Sequence, residues 1–150
     1  MKTLDEIPPA WSQKIPDASK RFQVVLDGAG VLDLETGLVW EKSPDTTTRT
    51  WVDAHYYAYS KNVGGRGGWR LPKAEELRTL IDPTQSGPAL PSGHPFTNVQ
   101  SASYWSSTTN PINTETALLV SLGTGSLGSI FKTSSYLVWC VRGGHGSDTF

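Results

Sequence analysis

The spacing of apolar residues changes twice along this chain. Phe22–Leu26 (FQVVL) is a short β-rich run. Val31–Trp40 (VLDLETGLVW) places apolar residues on both sides of Glu35-Thr36-Gly37. That pattern predicts a hairpin, with Gly37 where the turn needs positive φ. Ser43–Thr50 is a polar loop with a run of three threonines. The period then lengthens. Trp51, Ala54, Tyr57 and Ala58 fall near one helical face, Thr50 stands as N-cap with Asp53 three residues on, and Gly64-Gly65 closes the segment. A helix over about 51–62 follows. Pro72 opens a second helix over about 73–82, with Leu77, Leu80 and Ile81 on its apolar face and Asp82-Pro83 as its stop. From 83 to 102, four prolines and two glycines (Pro83, Gly87, Pro88, Pro91, Gly93, Pro95) predict loop.

Period two then returns. Ser103–Thr108, Thr116–Leu122, Leu127–Lys132 and Leu137–Arg142 read as strands, and Gly123-Thr124-Gly125 makes the middle two a hairpin. Strands, two helices, a long loop and more strands indicate an α+β fold rather than a doubly wound parallel sheet. Residues 1–21, punctuated by Pro8, Pro9 and Pro16, read as an extended arm carrying Trp11, and 22–150 as a single domain.

Charge and cysteine content narrow the function classes. Thirteen Lys+Arg against fourteen Asp+Glu give a net charge of −1 with no basic run, which argues against a nucleic-acid partner. One cysteine excludes an internal disulfide framework and a Cys-rich zinc site. No apolar run reaches the 18 residues of a membrane span, and residues 1–21 hold no continuous apolar stretch typical of a signal peptide. A cytoplasmic protein and a mature form of an exported one both stay open. The last fifty residues hold only Glu115, Lys132, Arg142 and Asp148 as charged groups. Their hydroxyl-rich strands suit recognition of polar, neutral ligands.

Catalytic signals are weak. His55, His94 and His145 are widely spaced without partner cysteines, so no structural zinc is expected. No cofactor is indicated. Calcium is left open, because its ligands need not be adjacent. Cys140 lies in the apolar stretch Leu137–Val141 and reads as a buried, inert thiol. Gly64–Gly68 lacks the Lys-Ser/Thr ending of a phosphate loop and reads as a helix cap and turn. Glu75 and Glu76 suit a helix start. His94 reads as a loop-stabilising hydrogen bonder.

Six tryptophans are the strongest compositional feature. Trp40, Trp51, Trp69, Trp105 and Trp139 are read as a shared core whose indole N–H groups bond loop carbonyls. Tyr57 is expected to face inward. Tyr56 and Tyr59 are expected on another, exposed face.

Five blocks occur in order: Asp33-x-x-Thr36-Gly37-Leu38-x-Trp40, Trp51-x-x-Ala54, Gly68-Trp69-Arg70-Leu71-Pro72-x-x-x-Glu76-Leu77, Tyr104-Trp105-Ser106-Ser107-Thr108 and Cys140-Val141-Arg142. Together they resemble the bacterial domain family found at the C-terminus of the Lcl collagen-like adhesin, often described only as a domain of unknown function. The resemblance covers about residues 22–143. It implies a C-type-lectin-like fold related to formylglycine-generating enzymes, with two helices flanking a small, twisted, mostly antiparallel sheet. It also implies an exported or surface-attached setting, a similarity to a glycan-binding trimer, and ligand contacts on the C-terminal part of the fold. The reactive cysteine pair of the catalytic relatives is missing, so a scaffold without its enzyme is expected.

Three departures stand out. The family's first-helix cysteine, which pairs with the last-strand cysteine, corresponds to Ala58, leaving Cys140 unpaired. Lys73 occupies the position of a capping Ser or Thr, at a cost of ~1 kcal/mol unless another group caps the helix. The near-zero net charge gives no support for binding sulfated glycans, and Lys61, Arg66 and Arg70 form the only modest basic neighbourhood. Arg70 is expected to pair with a carboxylate or with carbonyls.

The reading that follows is a non-enzymatic domain that recognises a carbohydrate or a protein ligand on its late strands and loops. The candidate contacts are Thr108, Thr109, Asn110, Asn113, Lys132, Ser134, Ser135 and Tyr136, whose hydroxyls and amides can bond polar ligands. The alternative is a structural module, a homo-oligomer assembled through Tyr56, Tyr59 and the arm around Trp11.

Overall fold

A computed structural model describes residues 14–143. Trp11, His145 and the greater part of the expected arm lie outside the described residues. The chain runs α1 (Ala18–Arg21), β1 (Phe22–Val25), β2 (Gly30–Asp33), β3 (Leu38–Glu41), α2 (Trp51–Tyr59), α3 (Ala74–Arg78), β4 (Ser103–Thr109), β5 (Thr116–Ser121), β6 (Leu127–Phe131) and β7 (Val141–Gly143). The fold is α+β. The strands form two antiparallel sheets, not one: a four-stranded sheet ordered β1-β2-β3-β7 and a three-stranded sheet ordered β4-β5-β6.

Both expected hairpins form. β2 and β3 flank a turn in which Gly37 has φ 77°, a conformation costly for any residue with a Cβ. β5 and β6 flank a turn in which Gly125 has φ 82°, and a Cβ there would meet Ile81 at 2.6 Å.

Both helices are shorter than the pattern predicts. Thr50 caps α2 through its side chain, which accepts from Asp53 N at 3.3 Å. The helix ends at Tyr59, where Lys61 N bonds back to Ala58 O and the chain turns toward its glycines. α3 is only five residues long, because Leu80 N and Ile81 N bond three residues back, to Leu77 O and Arg78 O. That tighter winding replaces the expected α-turns up to 82. Within the segment read as an arm, α1 adds a helical turn capped by Asp17, with Ala18 and Arg21 buried.

The stretch read as a last strand from Leu137 enters a ladder only at Val141. Its first part crosses from one sheet to the other. Leu137 bridges Tyr104 on β4, Glu41 N bonds Cys140 O, and Val141 pairs with Trp40 on β3. The period of two is nevertheless physical, since this stretch is the wall between two apolar clusters. Leu137, Trp139 and Val141 face one, with Phe22, Trp40, Leu77, Leu80, Phe96 and Tyr104. Val138 and Cys140 face the other, with Ala54, Ala58, Trp69 and Trp105.

The tryptophans therefore serve two cores. Trp40 and Trp139 meet edge to face at 5.3 Å in the first, Trp69 and Trp105 belong to the second, and Trp51 is only partly buried at its margin. Four indoles donate to carbonyls as expected: Trp51 to Ser106, Trp69 to Arg66, Trp105 to Arg49 and Trp139 to Glu41. Trp40 Nε1 is buried with no hydrogen-bond partner.

Candidate functional site

The frame around the site is fixed by charges turned inward. Arg21 and Asp33 are almost fully buried and form a bidentate pair at 2.8 Å. Glu41 accepts from Cys140 N with one carboxylate oxygen and pairs with Lys61 Nζ at 2.9 Å with the other. Lys61 also donates to the Tyr57 hydroxyl at 2.6 Å, so Tyr57 faces inward as expected, while Tyr56 and Tyr59 are exposed. Burial opposes the Lys61 charge, but the Tyr57 and Glu41 oxygens outweigh it and hold the ammonium's pKa above its usual range. Arg70 forks onto Glu76 at 2.8 and 2.9 Å and also donates to Gly143 O, so it takes a carboxylate and carbonyls together. Burial would raise the Glu76 carboxyl, but Arg70 and the Lys73 N–H hold it below the usual carboxylate range.

The Cys140 thiol is buried in the same cluster as Ala58. Burial, reinforced by the Glu41 charge, pushes its pKa far above the thiol range, so it carries no nucleophile at neutral pH. His94 Nδ1 accepts from Phe96 N at 3.1 Å, which is the loop-stabilising role expected of it. Among the described residues, no group of three or more His, Cys, Asp or Glu is arranged to hold a metal ion. No helix there is long and apolar enough to cross a membrane.

The eight candidate contacts separate into four environments. Thr109, Asn110, Asn113, Lys132 and Ser134 meet at one end of the three-stranded sheet. Thr109 Oγ1 accepts from Lys132 Nζ at 3.0 Å, and Lys132 N bonds Glu115 O across the β5–β6 ladder. The Asn110 and Asn113 carboxamide oxygens are engaged by their own turns, accepting from Ile112 N and Glu115 N. Ser134 closes a turn onto Phe131 O. Thr108 faces α3 instead. Its hydroxyl accepts from Ala74 N at 3.0 Å and supplies the cap that Lys73 cannot, while the Glu76 carboxylate accepts from Lys73 N. Tyr136 is half-buried, edge to face with Trp105 at 5.6 Å and bridged to Arg49 by two backbone bonds. Ser135 is exposed.

Two residues outside the candidate set complete the first group. Lys132 Nζ lies 4.2 Å from the Trp51 ring centre, and Trp51 N bonds Lys132 O. His55, one turn further along α2, contacts Trp51 edge to face at 4.3 Å, and its Nε2 is buried with no partner. Burial, aided by the nearby Lys132 charge, lowers the His55 pKa, so the ring is neutral at pH 7. Trp51 read as core because it opens a helix in register with Ala54 and Ala58. The half-exposed side of that register was the available signal, but the cation over its face depends on β6, eighty residues away.

The result is a short row formed by Thr109, Lys132, Trp51 and His55. An aromatic face, an ammonium, a hydroxyl and an unpaired ring nitrogen converge from three chain segments. Groups of these types can donate and accept hydrogen bonds and present a ring face. It contains no activated nucleophile.

These features belong to an α+β domain with buried ion pairs and a polar end beside Trp51. The chain matches the profile of the Lcl C-terminal domain over residues 29–142 and belongs to that family. No curated protein matches the chain.

Proposed function

We propose that this domain is a non-enzymatic ligand-binding module of an exported or surface-associated bacterial protein, built on a C-type-lectin-like scaffold, and that its ligand is a carbohydrate or another surface macromolecule. The observation that carries this reading is the convergence of Thr109, Lys132, Trp51 and His55, with His55 Nε2 left without a partner. Family membership supports the same reading. Charge is scarce around the site, so recognition rests on hydroxyls and ring faces, and steering by a basic field has no part in it.

A glycan-array screen of the domain, with calcium and with chelator, at low and physiological salt, tests the proposal. Specific binding that survives physiological salt is the expected result. Silence across the array would shift the reading to a protein ligand.

The second reading, an assembly module, is favoured by the exposed phenols of Tyr56 and Tyr59, at 71% and 65% exposure on one side of α2. A strictly monomeric species at high concentration in light scattering would remove it.

A further inference from the structure

β6 is an edge strand. Among the described residues it pairs only with β5. Lys132 N bonds Glu115 O and Ser121 N bonds Ser126 O. Antiparallel hydrogen bonds alternate, so the even-numbered residues of β6 spend their backbone groups on β5. Leu127, Ser129 and Phe131 therefore aim their N–H and C=O groups at the free edge. All three are exposed, Leu127 at 45% and Phe131 at 52%. The Phe131 carbonyl accepts from Ser134 N at 2.9 Å and keeps its second lone pair.

Natural edge strands usually carry a lysine, a proline or a bulge that prevents pairing. β6 (LGSIF) carries none of these. Its sequence is also complementary to itself. In an antiparallel pairing centred on Ser129, Leu127 of one copy lies opposite Phe131 of the other. On the opposite face, Gly128 lies opposite Ile130. Each apolar side chain meets either a partner that packs against it or a glycine that leaves room. No charge falls opposite another.

We infer that β6 is the interface of a two-fold dimer in which the edge strands of two copies pair about Ser129, joining their three-stranded sheets into one six-stranded sheet. Stable interfaces hide about 800 Å² on each partner, more than a five-residue ladder provides. The dimer is therefore weak, and it fills at high local concentration such as an array on a surface supplies. The interface is separate from Tyr56 and Tyr59, and it stands whether or not the domain binds a glycan.

Cysteine cross-linking tests the register. In this pairing the two Ser129 Cα atoms are about 5.5 Å apart, within reach of a disulfide. The two Leu127 positions are roughly 13 Å apart along the strands, four residues at the usual rise. Mild oxidation of Ser129→Cys should give a covalent dimer, whereas Leu127→Cys alone should not. Leu127→Cys mixed with Phe131→Cys should give the mixed dimer. The buried Cys140 leaves the parent chain as an uncross-linked control. Sedimentation of the unmodified chain should show a monomer–dimer equilibrium. Ser129→Pro, which removes only an outward-facing N–H, should abolish the dimer while near-ultraviolet dichroism shows the monomer folded. A parent chain that stays monomeric up to its solubility limit would overturn the inference. So would equal cross-linking of Leu127→Cys and Ser129→Cys, or an undiminished dimer in a folded Ser129→Pro variant.

Discussion

The two sheets use polarity in opposite ways. The four-stranded sheet turns charge inward: Arg21 and Asp33 lock α1 onto β2, and Glu41 with Lys61 locks the segment after α2 onto β3. The three-stranded sheet contains no charged residue within β4, β5 or β6. It is held instead by apolar packing and by the indole N–H groups of Trp51 and Trp105. Ser106 and Thr116 bury their hydroxyls against backbone carbonyls, whereas Ser129 and the free edge face outward. The inward charges pair one to one, so the surface keeps the same near-zero net charge with fewer groups of either sign. One region is a frame, and the other carries the polar groups that can meet a partner.

The largest expected effect breaks the frame. Asp33→Ala leaves the buried Arg21 guanidinium without its carboxylate and should cost about 3–5 kcal/mol, read by urea denaturation. An effect near that of an exposed ion pair, below about 1 kcal/mol, would show that the inward charges are not what distinguishes this sheet.

Acid should act on the same contrast. Glu76 is held below the usual carboxylate range, so its contribution is complete at neutral pH and is lost as pH falls through the folded-state value. His55 is held below the usual imidazole range, so the unfolded chain takes up its proton first and stability begins to decline below about pH 6.5. Urea midpoints measured down the acid range should fall in two stages. Glu76→Gln should reduce the lower stage, which Asp45 shares, and His55→Gln the upper, which His94 shares.

A smaller effect tests the link between the regions. Thr108→Val removes the hydroxyl that caps α3 from β4 and should cost about 1 kcal/mol, measured by thermal unfolding. Ser135→Ala, at an exposed position, should stay within about 0.5 kcal/mol.

The local periods along the chain are enough to read the α+β class, both hairpins, the start of α2 and the inert Cys140. They are not enough to divide the strands between two sheets. That division depends on Leu137–Val141 serving as a wall between two cores, and a period of two looks the same in a wall as in a ladder. Arg21 falls in a segment without any period, and its pairing with Asp33 is visible only once β1 folds back on β2. Thr108 and Thr109 are equivalent in sequence. Alternation on β4 sends one to α3 as a cap and the other to Lys132. The row around Trp51 depends on contacts between α2 and Lys132, just past β6, that no local pattern carries.

The most direct test of the division between frame and proposed recognition surface is a paired glycan-array measurement on two variants. Lys132→Ala alters the polar end of the three-stranded sheet, and Gln23→Ala alters an exposed position on β1. The account predicts that the parent chain and Gln23→Ala give the same binding profile and that Lys132→Ala loses it while staying folded. A profile kept by a folded Lys132→Ala variant, or lost by Gln23→Ala, would contradict it.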